Sequence, residues 1–222
     1  MCAYNNESIA EMNIHENLVN LASIVEDTLR IFNDVVNNLT KENVDLKKLY
    51  ERILVPKNRV EENKIIFMEY LVRLGETIAY KQSYASIALG LERLAQYLDG
   101  ASYRLVLLKK EDEFLNNDLY KYIDGLRKVI NEQFNNLYQG LKKLRVEPKK
   151  TISLVNEISK LENRADEIYR EATYTIYTKL SGKTLLLMMM RDVLDFMENS
   201  SDLLRSLGEE LRYLALHKII VG

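Results

Sequence analysis

From Ile14 onward, apolar residues return at steps of three and four: Leu18, Leu21, Val25, Leu29, Phe32, Val36 and Leu39 form one stripe. That stripe predicts a helix over 14–40. Residues 41–59 hold a short helical pattern around Leu46, Leu49 and Ile53, then Pro56, which reads as a boundary. Helical spacing resumes over 60–82 and 84–108, with Lys81-Gln82-Ser83 as the expected turn and the charged stretch 109–112 as the close of this half. A fourth long helix places Leu119, Tyr122, Leu126, Ile130, Phe134, Leu137, Leu141 and Leu144 on one face and ends before Pro148. The fifth, 150–180, turns Val155, Ile158, Leu161, Ala165, Ile168, Ala172 and Ile176 inward. After a turn at Ser181-Gly182, the sixth runs over 184–216 with Met190, Leu194, Met197, Leu204, Leu207 and Leu211 on its core side. Residues 1–13 lack this period and are expected to form a loose start. The prediction is an all-α chain of six long helices.

Long helix, proline, long helix, turn, long helix occurs twice. This predicts an internal duplication, with three-helix repeats over 14–112 and 113–222 forming two tandem bundles. Residues 91–102 laid on 190–201, 99 positions on, bring apolar positions together, with Tyr97 on Phe196 and Asp99 on Glu198. A shift of 93 similarly lays Ile65, Met68, Glu69 and Val72 on Ile158, Leu161, Glu162 and Ala165.

Composition narrows the chemistry. With 8 Gly and 2 Pro in 222 residues there is little turn material for a many-stranded sheet. A formal charge of −2 gives no general attraction for nucleic acid or anionic lipid. The single cysteine, Cys2, excludes an internal disulfide and fits a reducing cytosol. No leader pattern is found, and the apolar run 185–190 is far too short to span a bilayer, so a cytoplasmic protein is expected. The glycines never cluster into a phosphate-binding loop. His15 and His217 are the only histidines and are expected at the surface; neither follows a Glu by three residues, as a di-iron carboxylate oxidase would need. No catalytic apparatus is legible.

The carboxylates are more informative. Asp192, Asp195, Asn199 and Asp202 follow steps of three, four and three on the sixth helix, with Glu198 beside them. Like charges so spaced repel, and a cation or basic neighbour would relieve them. Oxygen-only ligands suit hard cations such as magnesium, calcium or manganese, with iron where carboxylates bridge. A plain solvated face explains the same acids. On the fifth helix Glu162 and Asp166 flank the core stripe, where Arg164 and Arg170 could simply neutralise them. Met188-Met189-Met190 reads as core, and the tyrosines as boundary residues with the hydroxyl in water.

Leu91-Glu92-Arg93-Leu94 on a third helix, Glu162-x-x-x-Asp166 on a middle helix, and Asp195 make the chain resemble the PhoU-like family of phosphate-transport regulators. That family has two three-helix repeats, each with an acid-x-x-x-Asp element on its middle helix and a Leu-Glu-Arg-Ile-x-Asp element on its third. The motifs are incomplete here: Gln96 stands where the third-helix Asp is expected, Arg73 follows Glu69 where an acid is expected, and Arg191 lies opposite Glu92. The resemblance implies a non-enzymatic cytoplasmic regulator that contacts a phosphate transporter, or its signalling protein, at the inner membrane surface. Self-association is compatible with it and nucleic acid is not expected. It further implies a metal site at Glu162, Asp166, Asp195, Glu198 and Asp202, with Glu69, Glu92, Asp99 and Asp192 as lesser candidates. Magnesium, manganese, iron and zinc stay open as the ion, and no organic cofactor is implied. A metal-free structural or oligomerising helical bundle, unrelated to phosphate, would show the same stripes.

Overall fold

The computed structural model describes residues 8–75, 78–109 and 117–221. Most of the expected loose start, including Cys2, and most of the charged stretch 109–112 lie outside them. All described elements are helical: α1 (Ile9–Asn37), the short α2 (Leu46–Glu51), α3 (Leu54–Arg73), α4 (Lys81–Lys109), α5 (Asn117–Lys143), α6 (Pro148–Lys179) and α7 (Thr184–Val221). The chain is thus all-α, with the six expected long helices. Every residue named above for the first and fourth stripes is buried, as are all six on the core side of α7. In the fifth stripe Leu161 and Ile168 are only half-buried.

Helix ends differ from the periodicity where local hydrogen bonding decides. α1 starts five residues before Ile14, because Ser8 and Glu11 form a reciprocal capping box. The boundary expected at Pro56 lies at residues 52–53, and α3 begins at Leu54. Pro56 occupies the first turn, where its missing N–H would have had no partner within the helix. The turn expected at 81–83 comes earlier, with Gly75 at φ +63° and Tyr80 at φ +57°, and α4 begins at Lys81. The turn at 181–182 is as expected, with Gly182 at φ +89°. Of the methionine run only Met190 is fully buried, while Met188 is 60% exposed. His15 is not a plain surface residue: its Nε2 lies 2.7 Å from the Leu141 carbonyl and ties α1 to the end of α5.

α1, α3 and α4 pack on one another, as do α5, α6 and α7; the triplets meet through α4 on α7 and α1 on α5. Their buried side chains form one continuous apolar cluster. The match at 99 positions is also a match of burial: Ile87, Leu91, Leu94, Ala95, Leu98, Ala101, Ser102 and Leu105 are buried, and so are the residues 99 further on. α1 and α5 correspond similarly at 98, from Leu21 on Leu119 to Val36 on Phe134. Matched residues also touch. Tyr97 and Phe196 pack edge to face at 6.1 Å, and Asn33 and Asn131 exchange amide hydrogen bonds of 2.6 and 2.7 Å. The match at 93 fails, because Ile65, Val72 and Glu69 face solvent while Ile158, Ala165 and Glu162 are buried. α3 buries Val60, Phe67 and Leu71 instead.

Candidate metal site on the seam of α6 and α7

Glu162 and Asp166, one turn apart on α6, meet Asp202 of α7, and a carboxylate oxygen of each lies within 4.8 Å of the others. Glu162 is only 6% exposed: its place on the flank turns it into the seam rather than to water. Arg205, one turn beyond Asp202, donates to Glu162 Oε1 at 2.7 Å from a half-exposed side chain. Arg170 donates to Asp166 at 2.8 Å. Burial, then Asp202, Asp166, Asp195 and Glu162 together push the Glu198 carboxyl up to about 7. Burial and the same two α6 acids hold Asp202 above the usual range, against the pull of Arg205.

The other α7 acids are engaged elsewhere. The Tyr169 hydroxyl donates to Asp195 at 2.7 Å, and that bond, with burial, raises the tyrosine to about 12. Arg191 approaches Asp195 at 3.4 Å and also reaches the Tyr177 hydroxyl. Asp192 points across to α4, where Arg104 holds it at 3.0 Å. The structure therefore brings together Glu162, Asp166 and Asp202, with Glu198 in their field and Asp195 at the edge. Three carboxylates with oxygens within 4.8 Å of one another, and Glu198 in their field, are the chemistry a hard cation would relieve, and the donor set fits such an ion. Opposing it, two guanidinium groups already neutralise part of that charge.

The corresponding seam of α3 and α4 is built differently. Lys57 pairs with Asp99 at 3.0 Å and Lys64 with Glu92 at 3.2 Å. Tyr103, which matches Asp202, packs at a tilt against Tyr50 with ring centroids 5.8 Å apart; burial first, and Asp99 next, raise the Tyr50 hydroxyl to about 12. Glu69 is exposed and pairs with Arg73 at 3.5 Å. Sequence reasoning passed over Lys57, Lys64, Arg205 and Tyr169. A signal for the lysines was present: Lys57 and Lys64 are seven residues apart, as are Glu92 and Asp99, so antiparallel helices align both pairs at once.

Glu198 supplies a pH test. The folded chain keeps its proton up to about pH 7, while an unfolded glutamate releases it near 4.5. Folding therefore binds a proton between these values, and stability from this group falls as pH rises through that window. Glu198→Gln is expected to be about 1 kcal/mol more stable than wild type at pH 8, allowing for screening of a half-open group, and to match it at pH 4. Thermal unfolding in chelator at both pH values checks this; a difference equal at the two would contradict it.

Six long helices packed as two triplets make an all-α bundle whose fold is that of solved PhoU structures. The chain resembles the crystal structure of PhoU from Pseudomonas aeruginosa at TM-score 0.79 and 16% identity, covering 94% of this chain and 98% of that one. It likewise resembles the phosphate transport system regulatory protein PhoU from Streptococcus pneumoniae at TM-score 0.72 and 16% identity, covering 92% and 96%. No protein-family model and no curated protein sequence matches the chain. Among the described residues, no helix is long and apolar enough to cross a membrane.

Proposed function

We propose that this protein is a non-enzymatic, cytoplasmic regulator of phosphate transport, acting through contact with a phosphate transporter or its signalling partner at the inner membrane surface. The observation that carries this reading is the end-to-end correspondence with a phosphate transport regulator, over 92% of this chain and 96% of that one. In this reading the chain divides into repeats 14–112 and 113–222. The second binds a divalent metal or iron through Glu162, Asp166 and Asp202, with Glu198 and Asp195 adjoining. The ion would join α6 to α7 and set the shape of that face. Its chemistry is electrostatic: it would replace proton and guanidinium as the counter-charge of the carboxylates. In the first repeat, Lys57 and Lys64 supply fixed counter-charges to Asp99 and Glu92, so that seam needs no metal.

Deleting the gene tests the central claim. Phosphate uptake, or its response to phosphate supply, is expected to change and to be restored by the wild-type chain. Unchanged uptake and response would remove the basis for a role in phosphate transport. The Glu162–Arg205 bond favours a second reading, in which arginine completes the second seam as lysine does the first and the chain is a metal-free structural adaptor.

A further inference from the structure

The charge that composition hides is gathered at one end of the bundle. Residues 142–150 read Lys-Lys-Leu-Arg-Val-Glu-Pro-Lys-Lys and form the end of α5, its turn and the start of α6. The turn and the last turns of α7 line a groove of 670 Å³ that includes Val146, Pro148, Lys149, Lys150, Lys218 and Ile219. Lys218 approaches Glu11 at 3.9 Å, which brings the first turn of α1 to the same end. Lys142, Lys143, Arg145, Lys149, Lys150 and Lys218 thus stand around this groove and the facing turns of α1, with Glu11, Glu16 and Glu147 among them, on a chain whose overall charge is −2. Lys143 is taken up by Glu147 at 2.6 Å, while Lys142, Lys149 and Lys150 are exposed.

The apolar side chains of the same end are equally uneven. Ile220 (81% exposed), Ile9 (77%) and Val146 (76%) are the three most exposed large hydrophobics among the described residues. They come from three different helix ends, α7, α1 and the α5–α6 turn, and all belong to this end.

From this juxtaposition we infer that the end of the bundle carrying Ile9, Val146 and Ile220 docks directly on an anionic phospholipid surface. The aliphatic tips enter the headgroup boundary while the lysines meet lipid phosphates. A lipid surface accepts isolated apolar tips ringed by lysine, whereas protein interfaces are depleted in lysine. A nucleic acid backbone has no place for the aliphatic tips. This goes beyond the proposed function and stands without it, because neither phosphate transport nor the metal seam enters the argument.

The full chain is to be floated with vesicles of phosphatidylcholine alone and with about one third phosphatidylglycerol. Binding is expected only to the anionic vesicles, and weaker as salt rises. Lys149→Gln with Lys150→Gln is expected to reduce it about 25-fold, roughly fivefold per lysine. The fold should stand, because a helix N-terminus does not favour positive charge. Val146→Asp with Ile220→Asp should also weaken binding, with unchanged circular dichroism. Equal binding to both vesicles, no binding to either, retention on duplex DNA but not on vesicles, or variants that bind like wild type would each overturn the inference.

Discussion

Protein purified without chelator is expected to carry close to one divalent ion per chain, and a Glu162→Gln, Asp166→Asn, Asp202→Asn variant to carry none. Loss of all three ligand charges should lower affinity at least a hundredfold, since losing a supporting hydrogen bond alone costs tenfold or more at many metal sites. The reasoning is electrostatic. Three carboxylate oxygens lie within 4.8 Å of one another, beside a Glu198 that retains its proton to about pH 7. An ion at a hundred times its dissociation constant should add about 2.7 kcal/mol, or about 5–10 °C in melting temperature for a chain of this size. The variant should show no such rise, yet in chelator should melt at least as high as wild type, because its seam no longer repels. Arg205→Gln distinguishes an arginine that competes with the ion from one that replaces it: competition predicts tighter metal binding in that variant. Metal absent from wild type and from Arg205→Gln, by mass spectrometry of tag-free protein, would leave Arg205 as the counter-charge of Glu162 in the seam.

The second large effect is expected where the triplets meet. A Cβ at Gly100 would lie 2.7 Å from the Phe196 ring. That ring cannot easily move: Arg104 lies over it at 4.4 Å from the centroid, and Tyr97 packs against its edge. Gly100→Val should therefore cost about 2–3 kcal/mol through overpacking, more than the helix gains by losing a glycine. The expected fall in melting temperature is about 4–12 °C. Combining it with Phe196→Ala should cost well below the sum of the single changes, since the new side chain fills the space the ring leaves. Simple additivity would show that α4 and α7 do not press together here.

The resemblance of α4 to α7 was legible because both use the same face, and a buried face constrains its residues wherever it recurs. Leu91 on Met190 and Leu98 on Met197 are core pairs in both halves. The 93-residue match of α3 to α6 misled because it aligned similar residues without a shared burial. In α3 the apolar Ile65, Ile66 and Val72 face outward, so hydropathy alone did not reveal the inward side. For the acid cluster, spacing placed Glu162 and Asp166 on one side of α6, and Asp195 and Asp202 on one side of α7. It could not say that Asp202 faces the first pair while Asp195 goes to Tyr169 and Asp192 to Arg104.

The chain's own periodicity determined six long helices, the turn at Ser181-Gly182 and the correspondence of its third helices, because apolar spacing and turn chemistry act over a few neighbouring residues. Tertiary structure alone decided which carboxylates share a seam, which are matched by Lys57, Lys64 or Arg205, and that the basic residues and the aliphatic tips collect at one end. Those outcomes depend on the rotation and register of one helix against another, which are set by the joint packing of all the helices around one core.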